Sequence, residues 1–519
     1  MPQIRYITSP SQMGAPGVYI LEQAPAAPIR GQRNRIIGFV GQCLSGPDSR
    51  PVVCSTYQRF LDVFGSRDRN TNGGTIFGHV WKALQGKRWG RLIVSRVVAS
   101  DAVAASFTLE TLANGSGTPV LRVDARWKGA AGNDIKIKVV AATNGDVNAF
   151  NLVTKKYGKV QLQENIKITT GFDNTNSVIG GDDATYITVT KLADGVPITT
   201  GMSGLDADGF VNLGQTVGSF TSVAGSDGTI ADADYTGAGK GMDQMNSYRG
   251  VQAVAVVGRS NAAIKTAMAT FAGTASQRVW FATTDSQTTA YTSAITERAT
   301  FNSQRMSYWH NWPQIADPIT QELLYEEPFL FPMSIMSQTD PDIHVGDMDN
   351  VVYTKAARGI YAELDDPTRD ALSNGGVSYM LHDLDQAGND VIIPGDALTC
   401  DFTVNNRDLD GRYMKDFLLD AIGNRMRGDQ FKGNTPSNRA ARAGAVSSFL
   451  DTLAFKDRYV LRDEQGVPQY SYVNDSSVNN PADQQAGDQV DQLICQLIPK
   501  NKRIRLNAII GVDATITEQ

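Results

Sequence analysis

The chain has 519 residues, 41% hydrophobic and 20% charged, a composition near that of ordinary globular domains and sufficient for about two to four of them without metals or disulfides. Its formal net charge of −6 gives no electrostatic reason to bind nucleic acid or anionic lipid. No window is apolar enough to span a bilayer and Met1–Tyr6 lacks a secretory pattern, so neither membrane insertion nor export is expected.

The first segment, residues 1–30, carries Pro2, Pro10, Pro16, Pro25 and Pro28 around one strand-like run, Val18-Tyr19-Ile20-Leu21. This reads as an arm outside any domain core. From Arg35 the pattern becomes compact: a buried-type strand over Ile36–Val40, helices over Thr56–Phe64 and Thr75–Leu84, and a strand over Arg91–Val98. These open an α/β domain, residues 31–100. Over 101–241 the period changes to two, as in Val120–Val123, Ile135–Val139 and Tyr186–Thr190, with Gly, Asn and Asp between the runs. A β-rich inserted domain is predicted there.

Alternation of strand and helix resumes with a Val251–Val257 strand, an Ala262–Ala272 helix, an Arg278–Ala282 strand and a Ser286–Phe301 helix. The α/β domain is therefore expected to continue over 242–395. A C-terminal α+β domain, 396–500, follows. It holds amphipathic helices over Leu409–Met426 and Ser437–Phe455, a hairpin over Arg458–Arg462 and Val467–Val473, and a strand over Val490–Ile498. In the first helix Tyr413, Phe417, Leu418, Ala421, Ile422 and Met426 share a stripe; in the second Ala443, Val446, Leu450 and Leu453 do. The last arm, 501–519, ends in a strand over Ile509–Thr517 with Ile510, Val512, Ala514 and Ile516 on one face. The predicted class is thus multidomain α/β and α+β, with a β-rich insertion and strand-exchanging arms.

Chemistry is sparse. Cys43, Cys54, Cys400 and Cys495 form no CxxC, and His79, His310, His344 and His382 show no metal-type spacing. Asp232-Ala-Asp234-Tyr-Thr236-Gly237 with Asp243 resembles a calcium loop poorly, and Asp206-Ala-Asp208-Gly209 less well. In Gly237-Ala-Gly239-Lys240-Gly241 the lysine lacks the following Ser or Thr of a phosphate loop. No GxSxG elbow marks a nucleophile. No catalytic, cofactor-binding or metal residue is assigned.

Several short blocks follow one another along the chain: Pro16-Gly-Val-Tyr-Ile-Leu-Glu22, Ile37-Gly-Phe-Val-Gly41, Ser45-Gly-Pro47 and Phe60-Leu-Asp-Val-Phe-Gly65, then Lys128-Gly-Ala-Ala-Gly-Asn-Asp-Ile135. Gly225-Ser-Asp-Gly228, Asp234-Tyr235, Leu372-Ser-Asn-Gly-Gly-Val-Ser378, Val404-Asn-Asn-Arg407, Asn479-Asn-Pro481, Gly487 and Ile498-Pro499 continue the order. Together they resemble contractile tail sheath proteins, with Ala131 where many members carry tryptophan. The resemblance implies a non-enzymatic subunit of a virion tail, assembled in the host cytoplasm as a helical homopolymer of hexameric rings. Its implied partners are further copies of itself, an inner tail tube protein, and baseplate and tail terminator proteins, with no cofactor. It also implies a tube-facing helix in the C-terminal domain.

Short strands at both ends need partners, so Val18, Tyr19, Ile20, Leu21, Ile510, Val512, Ala514 and Ile516 are the expected subunit interface. Arg439 and Arg442, at i and i+3 and expected to lie away from the apolar stripe, are the candidate tube contacts. The competing class is an α/β enzyme or ligand-binding protein, for which the alternation over Val251–Phe301 is the support.

Overall fold

The structure, a computed structural model, describes residues 4–7, 18–21, 36–65, 80, 91–112, 114–156, 158–169, 172–173, 186–248, 250–273, 278–317, 321–347, 357–385, 388–403, 406–430, 432–481 and 488–498. In chain order, β1 (Ile4–Ile7) and β2 (Val18–Leu21) precede β3 (Ile36–Gly41), β4 (Val52–Cys54), helix α1 (Tyr57–Phe64) and β5 (Arg91–Arg96). Strands β6 (Ser106–Glu110), β7 (Pro119–Ala125), β8 (Lys136–Ala141), β9 (Ala149–Lys156), β10 (Lys159–Thr169), β11 (Phe172–Asp173), β12 (Ile187–Lys191), β13 (Val211–Asn212) and β14 (Ser222–Val223) build the insertion. Helices α2 (Asp232–Thr236) and α3 (Gly241–Ser247) lead to β15 (Val251–Val256), α4 (Ala262–Gly273), β16 (Val279–Thr283), α5 (Tyr291–Arg298) and β17 (Met306–His310). Then come β18 (Pro313–Ala316), β19 (Leu323–Tyr325), α6 (Leu330–Gln338), β20 (Ala357–Ile360), α7 (Asp366–Asn374), β21 (Ser378–Leu384) and β22 (Asp390–Pro394). Last are α8 (Leu409–Arg427), α9 (Pro436–Phe455), β23 (Tyr470–Val473) and β24 (Gln492–Cys495).

An eight-stranded sheet in the order β22-β21-β17-β16-β15-β3-β5-β4 organises the α/β part. Its inner strands run parallel, with antiparallel β4 and β22 at the edges. Every residue of β3, β15, β16 and β17 is buried. Continuous burial is required of a parallel strand covered on both faces, and it explains why these segments are nearly unbroken apolar runs. Local chemistry sets the helix starts. The Thr56 hydroxyl accepts from Arg59 N at the head of α1, and the Asp365 carboxylate accepts from Thr368 N at the head of α7; each satisfies one otherwise orphaned donor.

The period-two region folds as two facing sheets, β11-β10-β9-β8-β13 and β12-β7-β6-β14, around its own core of Phe107, Leu121, Phe150, Leu152 and Ile166. The glycine and Gly-Asn signature becomes a tight turn, Ala130–Asp134. Gly129 has φ +122°, and a Cβ on Gly132 would stand 2.9 Å from Ala125 Cβ, so both positions need glycine. The Asn133 side chain pairs with Gly225 twice, accepting from its N at 2.7 Å and donating to its O at 3.0 Å. Entering and leaving strands meet at the Val103–Ser226 bridge.

By compactness the chain divides within α8: residues 33–412 form one unit, and residues 1–32 with 413–519 the other. The division falls later than residue 396 because 396–412 is tied to the sheet. Cys400 N donates to Met306 O at 2.7 Å, Leu398 bridges Asp408, and Arg412 Nη1 donates to Gln304 Oε1 at 2.8 Å.

Some sequence expectations are revised. The Ser286–Phe301 helix shortens to Tyr291–Arg298, because the Thr284, Ser286, Thr288 and Thr289 hydroxyls bond locally and compete with helical pairing. In place of a simple hairpin, β23 ladders with β24 while Arg462 bridges Pro468. The expected Thr75–Leu84 helix lies outside the described residues apart from Val80, as does the whole terminal run Ile509–Thr517.

The joint between sheet and insertion rests on Arg96, 3% exposed, at the end of β5. Its guanidinium donates to Cys43 O at 2.9 Å, Gly46 O at 2.9 Å, Leu44 O at 3.2 Å and Lys128 O at 2.7 Å. Replacing Arg96 with alanine deprives four carbonyls of this donor, and buried unsatisfied acceptors cost about 1–3 kcal/mol each before relaxation. Arg96→Ala is therefore expected to lower unfolding stability by about 3 kcal/mol or more in urea titrations. Arg96→Lys, lacking the planar fork, should recover only part of it.

Candidate functional site

In open parallel sheets ligands bind beyond the C-terminal strand ends where strand order reverses. Here the reversal falls between β3 and β15. Gly258 N, just past β15, donates to Glu327 Oε1 at 2.6 Å, and Glu327 is 5% exposed. The chain's own carboxylate thus occupies the place that a ligand's anionic group takes in nucleotide-binding sheets of this type. Beside it Tyr235 is wholly buried, and burial pushes its hydroxyl up to about 12.

The loops with a faint metal or phosphate look are also closed internally. Asp232 accepts from Arg259 Nε at 2.6 Å and Asn261 Nδ2 at 3.0 Å. Asp234 pairs with Lys240 at 2.7 Å and accepts from Ala231 N, while Asp243 accepts from Gly239 N at 2.7 Å. Lys136 meets Asp206 at 2.7 Å and Lys155 meets Asp208 at 3.1 Å, so ammonium groups sit against these carboxylates; the Lys136 bond holds the Asp206 carboxyl down at about 2. In the α/β core the fully buried Lys265 pairs with Asp285 at 2.6 Å and with Glu297, which also accepts from the Tyr308 hydroxyl. Burial first, and then Glu297, raises the Tyr308 hydroxyl far above its ordinary range. His310, buried on β17, is lowered by burial to about 4 and so stays neutral near pH 7. Among the described residues no cluster of His, Cys, Asp and Glu is placed to hold a metal ion.

Among the described residues, the C-terminal part carries an incompletely covered apolar face. Helices α8 and α9 pack through Met414, Phe417, Leu418 and Ile422 against Val446, Phe449 and Leu450. The cap of α9 is Thr435, whose hydroxyl accepts from Asn438 N, with Pro436 in the first turn. Against this core lies the two-stranded ribbon β23–β24, and its inward Tyr470, Tyr472, Leu493 and Cys495 remain only partly buried. Ile494 is 63% exposed. The helical core supports one face of this ribbon, which is what a two-stranded sheet needs to be stable in water.

Arg439 and Arg442 correct the sequence reading. Both are buried on the core side of α9, and Ala443 and Leu453 lie at its margin. Their long stems run along the helix while their heads reach polar partners. Arg442 meets Asp429 at 3.1 Å and Asp491 at 2.9 Å; Arg439 donates to Asn434 Oδ1 at 2.8 Å. Asp429 also receives Arg425 at 2.7 Å and Lys432 at 2.8 Å. The partners Asp429 and Asp491 went unnoticed in the sequence, since no helical spacing links them to Arg442.

Val18, Tyr19, Ile20 and Leu21 do form a strand, but not a lone one: β2 pairs in parallel with β1. The Ile4-Arg-Tyr-Ile7 run, bounded by Pro2 and Pro10, carried the sequence sign that was missed. Ile510, Val512, Ala514 and Ile516 lie outside the described residues.

No protein-family model and no curated protein matches the chain in sequence. Solved structures do match in fold. A sheath tail protein of Listeria innocua is 14% identical with a TM-score of 0.57, over 89% of this chain and 94% of that one. A sheath tail protein of Desulfitobacterium hafniense is 13% identical with a TM-score of 0.54, over 93% and 100%. The contracted sheath of an extracellular contractile injection system is 11% identical with a TM-score of 0.52, over 96% and 99%. The chain has the multidomain fold of tail sheath proteins.

The Asp429 network makes stability depend on acid. Burial pushes the Asp429 carboxyl up, but Arg425, Lys432 and Arg442 outweigh it and hold it below the ordinary 3.8. A depressed carboxyl contributes stability that is present above its unfolded value and lost as pH falls through the folded one. Asp429→Asn leaves buried arginines without their shared counter-charge, at an expected cost of about 3 kcal/mol. Hydrogen exchange of α9 amides should quicken in this variant at pH 7, and the difference from the parent should shrink below pH 3.8.

Proposed function

We propose that this chain is the structural subunit of a contractile tail sheath, which polymerises around an inner tail tube and contracts to drive the tube through a target cell envelope. The observation that carries this reading is the shared fold over 89–96% of the chain with structures described as tail sheaths and a contracted injection-system sheath. The internally closed switch point favours a structural role over the α/β enzyme reading, because Glu327 fills the place a bound anion would take.

The finer proposals follow from the partly covered ribbon. Strand β2 of one copy and the Ile510–Ile516 strand of another add to β23–β24 of a third, linking subunits into a mesh. About four or five backbone hydrogen bonds per added strand, at roughly 0.5–1.5 kcal/mol each, would contribute about 2–7 kcal/mol. The insertion, with its separate core and narrow stem, lies on the outer surface. Arg439 and Arg442 act on tube contact by positioning α9, whose exposed side carries Asn438, Ala441, Ser448 and Thr452. Copies form hexameric rings that meet baseplate and terminator proteins at the ends of a tail assembled in the host cytoplasm.

Electron microscopy of the purified chain at high concentration tests the reading: tubular polymers are expected. Deleting Met1–Gln23 should leave folded monomers, with an unchanged circular dichroism spectrum, that form no long tubes. Tubes of normal length from the truncated chain would remove the N-terminal arm from the lattice.

A further inference from the structure

The strand marked as a docking element is not free in the folded chain. β2 is bonded to β1 in the register Ile4↔Val18, Arg5↔Tyr19, Tyr6↔Ile20 and Ile7↔Leu21. Resting on the sheath reading above, we propose that β1 is a displaceable cap on β2, closing one edge of the docking strand in the unassembled chain and yielding to a second copy during assembly.

A strand edge with unpaired amides and carbonyls is a template for uncontrolled association. The edge of β2 that β1 holds is closed to other chains, and β1 itself is only four residues long with Arg5 inside it. Short length and charge are both devices that blunt an edge. The cap is also weak by construction. Parallel pairing is slightly less stable per residue than antiparallel, and a pair of strands alone is marginal in water. Closing a loop between β1 and β2 also carries an entropic cost. A partner offering a longer or antiparallel edge with apolar cover therefore outcompetes β1.

The recipient is the ribbon β23–β24 of a second copy, with its partly covered Tyr470, Tyr472, Leu493 and Cys495. Such an edge offers β2 backbone partners together with an apolar face. Displacement is thus favourable between copies and unfavourable within an isolated chain, which makes assembly concentration-dependent and suppresses premature pairing.

Tyr6→Pro in the full chain tests this, since proline removes a ladder donor within β1 and leaves β2 intact. In the monomer, amides 18–21 should exchange faster in the variant. The critical concentration for tube formation, read by light scattering and electron microscopy, should fall by roughly three- to tenfold, equivalent to a lost cap of up to ~1.4 kcal/mol. Ile20→Pro, which damages the docking strand itself, should abolish tubes. Unchanged exchange at 18–21 would show that the cap does not form. A critical concentration equal to or above that of the parent would show that β1 does not oppose assembly, while parental tubes leave the sheath reading standing. Absence of tubes from both parent and Tyr6→Pro at all concentrations would overturn the sheath reading, and the capping role with it.

Discussion

A guanidinium buried among carbonyls holds the larger unit in one piece. Arg96 ends a core strand, and from that point the chain leaves to build a separate sandwich before returning to the sheet. Its donors gather the loop after β3 and the turn before the 130–134 helix onto one planar group. Asn133 and Asp227 then lock the returning strand to the same turn. A domain inserted through a narrow stem would otherwise swing, because few contacts would cross it.

The placement of charge follows the same logic. The pairs between Asp232 and Arg259, Asp234 and Lys240, and Lys265 and Asp285 each satisfy a carboxylate inside one folded unit. A catalytic site instead holds reactive groups in environments that leave them incompletely satisfied and poised to react. In the C-terminal part, by contrast, β23 and β24 carry a row of half-buried apolar side chains. Under the proposed function, strands from other copies would complete that ribbon and connect subunits.

The resemblance of motifs and the likeness of folds point to the same fold by different physics. Lys128–Ile135 is legible in sequence because backbone geometry restricts it: Gly129 needs positive φ and Gly132 cannot carry a Cβ against Ala125. Sequence identity to the solved sheaths is only 11–14%, and volume-conserving change in a core leaves a fold intact.

Sequence alone determined the elements whose periodicity is imposed by a single burial environment. The unbroken apolar run Ile36–Val40 reads as a strand covered on both faces, and the alternation from Val120 to Thr190 reads as a domain of half-buried strands, since side-chain period follows from local geometry. Strand order, the closing of the switch point by Glu327, the joining of Asp429 to Arg442 and the pairing of β1 with β2 were decided only in three dimensions. Each joins separate elements through pairings that local periodicity does not specify. Arg439 and Arg442 illustrate the difference. Charge at i and i+3 predicts an exposed face, but Asp429 and Asp491 beside Arg442 and Asn434 beside Arg439 compensate their burial, and those partners are in place only once the chain has folded.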